Sequence, residues 1–313
     1  MQRICVIGGS RYFGKLLVQR LLLAGHRVTV VNRGSAPPPP GAEHFVVDRD
    51  DEAALSAALG ARTFDAVVDQ ICYTPVQAAS AVRVFRDRTR RYVMTSTIEV
   101  YDPASAALPA VARDTPVPEE TVDPAVWPVR TDLPWHDADY LDAHYAEGKR
   151  QAEAVFTRDG RFPYVSVRSA HVLGGGAQEF TGRLAHYTER ISRGAEFVVR
   201  PEELPTVFIH YEELAGLLLW AATADGFTGP LNACSDGLLD VHGLAAAIGA
   251  ATGRTPVHRT AAAKEPAGPF SFDRHYAMSN DRAKRLGFTF ARTADWLPGA
   301  VAESLAVSTV PAA

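Results

Sequence analysis

The chain has 313 residues, a formal net charge of −4 and 47% hydrophobic residues, a composition typical of a soluble globular protein with one large or two modest domains. A slightly acidic chain lacks the clustered basic surface that phosphate backbones need, so we do not expect nucleic acid as a partner. The longest apolar run, 214–224, is too short to cross a bilayer, so we expect no membrane association. Three scattered cysteines and no signal-peptide pattern predict a reducing, cytoplasmic compartment.

Short apolar runs alternate with helical patterns through the first half of the chain. Runs rich in Val, Ile and aromatic residues predict six strands, at 3–7, 27–31, 44–47, 66–69, 91–95 and 164–167. Helical patterns lie between them, at 15–24, 51–59 and 76–86. Strands that alternate with helices imply crossover connections, so we predict an α/β fold with a doubly wound parallel sheet.

The pattern loosens after residue 167 and predicts a second, smaller unit. Helical patterns continue at 180–192, 212–224 and 241–252. We assign 1–168 to a cofactor-binding domain, to which about 206–235 returns, and 169–313 mainly to a smaller α/β substrate domain. The pocket is then expected between the two, at the carboxyl ends of the strands.

A proline-rich insertion at 102–139 interrupts this rhythm. It holds seven prolines together with Trp127 and Trp135, which are two of the four tryptophans in the chain. Linkers seldom carry so much aromatic surface, so we predict an ordered lid or docking loop over the site. A flexible surface insertion is the alternative.

A glycine-rich turn, GGSRYFG at 8–14, joins the first predicted strand to the first helix. Glycines in this position let the backbone turn tightly and let a pyrophosphate approach the helix N-terminus, which favours anions. The strand–turn–helix context makes the turn a candidate dinucleotide site. We assign cofactor contacts there to Gly8, Ser10, Arg11, Tyr12, Phe13 and Gly14.

The residues that end the second and third strands bear on the choice of cofactor. Enzymes that bind NAD usually place an acidic residue at the end of the second strand, whereas this chain has Asn32 and Arg33. An arginine there pairs with a 2′-phosphate, and Arg11 approaches it from the other side, so we predict NADP rather than NAD. Alternatively, Arg33 caps an exposed turn. Asp48, at the end of the third strand, is a candidate acceptor for the adenine amino group.

A tyrosine and a lysine four residues apart, Tyr145 and Lys149, share one face of a predicted helix. A lysine ammonium beside a tyrosine lowers the phenol pKa toward neutrality, which makes the tyrosine a usable acid or base. Lys149 is one of only four lysines in the chain. Hydroxyl groups end the fifth strand: we assign Thr97 to orienting a substrate oxygen and Thr95 to cofactor binding.

These motifs resemble the extended short-chain dehydrogenase/reductase family, in its epimerase/dehydratase-like branch. The resemblance rests on GGSRYFG, TSTIEVY at 95–101, YAEGK at 145–149 and SVRSAHVLGGG at 166–176, which occur in order along nearly the whole chain. It implies a Rossmann fold, Tyr145 as catalytic acid/base, Thr97 as the catalytic Ser/Thr, and Lys149 on the nicotinamide ribose. It also places Ser169 to Val172 beside the nicotinamide and implies a homodimer.

The chain departs from the family pattern in the turn and after the fifth strand. Arg11 replaces the middle glycine, as in a subgroup that holds reductase-like proteins and relatives of RNA-binding proteins. In the sugar-nucleotide dehydratases of the family the corresponding motif is Thr-Asp-Glu, and Ile98 stands at the position of its aspartate. The absence of this acid puts acid-assisted loss of water in doubt. Glu99 remains as a candidate second base, or as an ordinary polar residue that follows a strand.

We therefore predict an NADP-dependent oxidoreductase that acts on a small carbonyl or alcohol, such as a sugar or secondary-metabolite intermediate. One alternative is a redox-neutral epimerase, dehydratase or decarboxylase with Glu99 as base; another is a non-catalytic dinucleotide-sensing or RNA-binding relative. The acidic and histidine residues at 136–144 suit a helix start better than a metal site, and we predict no metal.

Overall fold

The structure of the protein is a computed structural model that describes residues 1–109, 112, 115–274 and 277–308. Its strands are β1 (Arg3–Ile7), β2 (Arg27–Asn32), β3 (Glu43–Val46), β4 (Ala66–Asp69), β5 (Tyr92–Thr97), β6 (Tyr164–Ser169), β7 (His171–Leu173), β8 (Phe197–Val199), β9 (Phe208–His210), β10 (Gly229–Ala233) and β11 (His258–Thr260). Its α-helices are α1 (Tyr12–Leu23), α2 (Glu52–Leu59), α3 (Pro75–Phe85), α4 (Ala138–Ala143), α5 (Tyr145–Asp159), α6 (Arg183–Ser192), α7 (Tyr211–Thr223), α8 (Val241–Thr252), α9 (Asp281–Arg285) and α10 (Thr293–Ser308).

Seven strands form one parallel sheet in the order β10-β6-β5-β4-β1-β2-β3. Helices cover both faces, which confirms the predicted doubly wound α/β fold. The strand order reverses beside β1, between β2 on one side and β4 on the other. In such sheets this reversal opens a crevice at the carboxyl ends of the strands, where ligands bind.

The core of the sheet explains why its strands read as continuous apolar runs. Along β1, Ile4 and Val6 pack with α1 and α7 on one face, whereas Cys5 and Ile7 pack with α2, α3 and α5 on the other. All four side chains are fully buried. Since both faces are covered, apolar residues are needed at consecutive positions rather than at alternate ones.

The predicted and observed elements differ mainly at their ends. The structure reproduces the predicted bounds of β1, β4 and α8, whereas β5 runs on to Thr97 and β6 to Ser169. These two strands pair with each other through their last residues, Thr97 with Ser169. The polar residues at the ends of β5 and β6 belong to the strands because hydrogen bonds between the two strands continue to these residues. An apolar pattern does not predict such pairing.

The second half of the chain adds two small sheets and a separate core. β8 pairs with β11 and β7 with β9, while α6, α8 and α10 enclose a third apolar cluster. β10, within the segment 206–235, pairs with β6 at the edge of the main sheet. The division into two domains stays a prediction, and residues 309–313 of its second part lie outside the described residues.

The proline-rich insertion packs along α5. The Trp127 indole nitrogen donates to the Glu147 carboxylate at 3.1 Å, and the backbone N–H of Arg130 donates to the Gln151 side chain at 2.7 Å. Trp135 is buried against the same helix, at Gly148. Residues 110, 111, 113 and 114 of the predicted segment lie outside the described residues. The described residues of the insertion thus contact α5, and a lid or docking loop over the site stays a prediction.

Candidate active site

The glycine-rich turn lies between β1 and α1, at the reversal of the strand order. Gly8 and Gly9 have φ of 99° and 76°, a region that side chains disfavour. A Cβ on Gly9 would lie 2.8 Å from the Val6 side chain, and one on Gly14 would overlap the Gln70 amide. The Arg11 side chain makes no capping hydrogen bond to α1, so the first-turn N–H groups have no partner in that side chain and suit an anion.

Tyr12 ties this turn to the segment that follows β7. Its φ is 49°, unusual for a residue other than glycine. The buried hydroxyl donates to the Gly174 carbonyl at 2.8 Å, and the ring stacks on Tyr211 with centroids 5.6 Å apart. A Cβ on Gly175 would lie 2.8 Å from the ring, so the later glycines make room for it. Tyr12 lines the crevice with its ring, while its hydroxyl stabilises the turn.

The end of β2 presents arginine rather than an acid to the crevice. The Asn32 amide donates to the Ser10 hydroxyl at 2.5 Å and accepts the Gly34 N–H at 2.7 Å, so it joins the phosphate turn to the loop after β2. Arg33 and Arg11 are exposed and line the same groove. Among the described residues that line this groove, none is acidic.

Asp48 lies apart from the described residues that line the groove. Its carboxylate is exposed and accepts the backbone N–H of Asp50 at 3.0 Å. The adjacent Arg49 is buried instead and forms an ion pair with Asp69 at 3.2 Å. Contact between Asp48 and adenine therefore stays a prediction.

The predicted proton-transfer residues meet at the carboxyl end of β5. The Tyr145 phenol and the Thr97 hydroxyl lie close together, and the Thr97 oxygen accepts the Glu99 N–H at 3.2 Å. The buried Lys149 ammonium donates to the Thr95 carbonyl at 2.8 Å. All five residues line one cavity of about 250 Å³, which adjoins the groove at the glycine-rich turn.

The pKa of Tyr145 moves opposite to the expectation. Burial raises it, the nearby Tyr73 adds to the rise, and the Thr97 hydroxyl only partly offsets it. Burial lowers the pKa of Lys149 to about 8. The ammonium lies 5.8 Å from the centroid of the Tyr145 ring and bonds to a carbonyl, and in this arrangement burial and Tyr73 outweigh any lowering of the phenol pKa by its charge.

The other wall of the cavity comes from β6, β7 and the start of α6. Ser169 and Val172, which we expect beside the nicotinamide, line it together with His171, Phe180 and Arg183. His171 is buried and stacks on Phe272 with centroids 5.0 Å apart. Burial lowers its pKa to about 3, and the charges of Arg183 and Arg274 act in the same direction.

A buried ionic network connects the strands and the helix that carry the site residues. Arg168 on β6 pairs with Glu153 on α5 at 2.7 Å, and Glu153 also accepts a hydrogen bond from Ser96 at 2.6 Å. Arg168 further donates to the carbonyls of Glu119 and Val122, at 2.8 and 2.9 Å. The network joins β5, β6, α5 and the insertion, which fixes the helix that carries Tyr145 relative to the strand that carries Thr97.

Sequence reasoning missed Gln70, Tyr73 and Arg183. Gln70 and Tyr73 follow β4 and line both the groove and the cavity. The rule that ligands bind at the carboxyl ends of strands applies to β4 as well, and could have found them. Arg183 begins α6, where the apolar pattern carries no comparable signal. Of the predicted cluster at 136–144, Asp137 caps α4 by accepting the Tyr140 N–H at 2.8 Å.

The fold is of the Rossmann type, and its crevice contains a glycine-rich turn beside a Thr, Tyr and Lys constellation. Residues 4–124 match the family model of the NAD dependent epimerase/dehydratase family. The predicted resemblance is thereby confirmed over these residues, and the fold of the whole chain is similar to that of solved epimerases. No described helix is long and apolar enough to cross a membrane.

Similarity to known proteins extends from this segment to the whole fold. Among curated proteins, 2'-dehydrokanamycin reductase of Streptomyces kanamyceticus is 33% identical over 124 residues, which are 39% of this chain and 33% of the relative. The match thus spans a third of that relative's length. The UDP-glucose 4-epimerase of Thermus thermophilus in complex with NAD aligns with a TM-score of 0.70 at 19% identity, over 96% of this chain and 98% of that one. The Bordetella bronchiseptica enzyme WbmH with NAD+ aligns with a TM-score of 0.71 at 18% identity, over 98% of each chain.

Proposed function

We propose that the protein is an NADP-dependent oxidoreductase that reduces or oxidises a small carbonyl or alcohol, such as a sugar or secondary-metabolite intermediate. The observation that carries the proposal is that Thr97, Tyr145 and Lys149 line one cavity, which adjoins a glycine-rich turn suited to an anion. Hydroxyls at this position can hold a substrate oxygen and exchange its proton.

The residues of the groove fit a dinucleotide. Positive φ at Gly8 and Gly9 leaves the backbone open to a pyrophosphate, and the buried Gln70 Nε2 has no hydrogen-bond partner among the described residues. That amide lies where the groove adjoins the cavity. When bound, the nicotinamide supplies or accepts the hydride.

Each protein group then has a definite task. Thr97 orients the substrate oxygen, and Tyr145 gives that oxygen a proton during reduction or takes one during oxidation. Lys149 supplies positive charge near the phenol, and we assign it to the nicotinamide ribose as well. Ser169, Val172 and Thr95 form the wall beside the reacting ring.

The preference for NADP rests on charge. Arg11 and Arg33 line the groove, and no described lining residue is acidic. A 2′-phosphate gains charge-assisted hydrogen bonds from arginine, whereas NAD offers no anion there. The solved structures named above bind NAD, so the arginines are the specific support for NADP in this chain.

The direction of the reaction is supported by a relative. The curated match is named a reductase of a dehydrokanamycin, and its 33% identity over 124 residues favours net reduction of a ketone. A redox-neutral epimerase, dehydratase or decarboxylase is the second candidate. It is favoured by Glu99, which lines the cavity as a candidate base, and by the fold shared with UDP-glucose 4-epimerases.

The decisive experiment is a fluorescence titration with NADPH and NADH, followed by a carbonyl panel with the preferred cofactor. Tighter binding of NADPH and its stoichiometric consumption by a carbonyl support the proposal. A substrate converted without net consumption of NADPH supports the redox-neutral alternative instead. Tighter binding of NADH contradicts the cofactor assignment.

We place the enzyme in a reducing cytoplasm, where its three buried cysteine thiols stay reduced. The homodimer implied by the family is part of the same proposal. Light scattering during size-exclusion chromatography measures the mass: a value of twice 33.8 kDa supports the dimer, and a value of 33.8 kDa contradicts it.

A further inference from the structure

Tyr73 occupies a central place between the groove and the cavity. It lies in the loop between β4 and α3 and lines both spaces. Its backbone N–H donates to the Gln77 side chain at 2.7 Å, which fixes the loop. Its carbonyl lies so close to Gly148 on α5 that a Cβ there would overlap the oxygen. The loop that bears Tyr73 and the helix that bears Lys149 are thus in close contact.

The ring of Tyr73 contacts the ammonium of Lys149. Nζ lies 4.5 Å from the centroid of the Tyr73 ring and 5.8 Å from that of Tyr145. The two rings are tilted by 45°, with centroids 6.1 Å apart. Since Lys149 is 2% exposed and bonds to the Thr95 carbonyl, the aromatic face stands where water would otherwise solvate the charge.

Other groups near the ammonium shift the pKa of Lys149 in opposing directions. Burial lowers the pKa of Lys149, whereas Cys72 and Asp69 from β4 and its loop and Glu153 from α5 raise it. Arg49, from the loop after β3, lowers it again. Tyr73, the nearer of the two rings, therefore contacts a cation whose pKa is set by opposing effects.

We propose that Tyr73 is a positioning residue for Lys149: its ring face holds the ammonium against the Thr95 carbonyl and stabilises the charged form. The contact between the two side chains does not depend on the reaction. Its role in turnover rests on the proposed function, because it acts through the charge that Lys149 supplies to Tyr145.

A cation–π contact of this kind predicts a measurable shift. Removing the aromatic face while keeping an apolar side chain of similar size leaves the ammonium buried but less stabilised, so the pKa of Lys149 falls by about one unit. Tyr73→Leu makes this change. Tyr73→Phe keeps the ring and removes the hydroxyl, so it is the matched control and should keep the Lys149 pKa within about 0.3 units.

The small number of lysines makes the test direct. Protein labelled with 13C-lysine gives four side-chain signals, from Lys15, Lys149, Lys264 and Lys284. Lysine-to-arginine substitutions at the other three positions assign the Lys149 signal by elimination. Titration of that signal in the wild type, Tyr73→Leu and Tyr73→Phe reports the pKa without any substrate, and Tyr73→Met replaces Tyr73→Leu if the latter fails to fold.

A lowered Lys149 pKa in Tyr73→Leu, with the wild-type value in Tyr73→Phe, supports the proposal. An unchanged pKa in Tyr73→Leu, or equal shifts in both variants, overturns it. The alkaline limb of the pH profile of kcat/KM is the second readout and should move with the Lys149 pKa. If the titration shifts but no carbonyl is turned over, the contact stands and the proposed function fails, so the two failures are distinguishable.

Discussion

Tyr145 and Thr97 line the same cavity, although the whole proline-rich insertion lies between the two residues in the chain. The pair forms because β5 ends in Thr97 at the edge of the sheet, while α5 begins with Tyr145 and packs beside β5 and β6. The insertion is compatible with this geometry: Trp127, Arg130 and Trp135 contact α5.

Replacing Tyr145 should abolish turnover and leave cofactor binding nearly intact. Tyr145→Phe removes the proton donor but keeps the ring, so we expect kcat to fall by about 10²- to 10⁴-fold. Steady-state kinetics and NADPH fluorescence measure the two effects. Tyr140→Phe, on α4 and away from the cavity lining, is the matched control. Full kcat in Tyr145→Phe contradicts the mechanism.

The two groove arginines should distinguish NADPH from NADH. Arg33→Ala or Arg11→Ala removes a charge-assisted hydrogen bond to the 2′-phosphate, so we expect the Kd for NADPH to rise by about 10- to 100-fold. The Kd for NADH should stay the same. Arg27→Ala, at the opposite end of β2, controls for loss of one positive charge. Equal weakening of both cofactors argues against a phosphate contact.

Gly148 should not tolerate alanine, even though alanine is the better helix former. A Cβ at this position would overlap the Tyr73 carbonyl and lie 3.2 Å from the Trp135 ring. We expect Gly148→Ala to lower the free energy of unfolding by about 1–3 kcal/mol. In α10, a Cβ on Gly299 meets nothing within 4 Å, so Gly299→Ala should raise it by up to about 1 kcal/mol. Urea denaturation measures both, and equal effects of the two changes contradict the tight contact.

Breaking the ion pair between Arg168 and Glu153 should destabilise the folded protein. The side chains of Arg168 and Glu153 are 0% and 1% exposed, so Arg168→Met leaves an unpaired buried carboxylate and should lower the free energy of unfolding by about 3–5 kcal/mol. Adding Glu153→Leu removes that charge and should restore part of the loss. Arg130→Met breaks an exposed pair with Asp132 and should change stability little. A small effect of Arg168→Met in urea denaturation would show that the pair is dispensable.

His171 should make the fold sensitive to acid. Its folded-state pKa of about 3 lies below the ordinary value of 6.5, so between these pH values the unfolded chain binds the additional proton. Stability is therefore lost as the pH falls below about 6.5, by about 2 kcal/mol at pH 5. We expect His171→Phe to reduce the difference in unfolding free energy between pH 7.5 and pH 5. An unchanged difference means that other groups govern the acid response.

Much of the site was predictable because its signals are local. The glycine-rich turn, the arginine after β2 and the four-residue spacing of Tyr145 and Lys149 are each contained in a few consecutive residues. Thr97 was predictable as well, since a polar residue that follows an apolar strand lies at the carboxyl edge of a parallel sheet. Asp137 followed from the preference of acidic residues for helix starts.

The pKa values and the course of the insertion were not predictable in this way. Spacing places Lys149 beside Tyr145, but burial, which raises the phenol pKa, is a property of the packed cavity. Proline and tryptophan content indicated an ordered segment, yet whether it covers the cavity or α5 depends on which apolar surface is available to it.

The sequence by itself determined the doubly wound fold, and it predicted the dinucleotide turn and the proton-transfer residues, because periodicity and short motifs encode these features. The tertiary structure alone decided that Tyr73 lies against Lys149 and that Arg168 pairs with Glu153 beneath the site. Those contacts join residues from different strands and helices, and they exist only where the packing of the sheet brings distant segments together and excludes water from the charges between them.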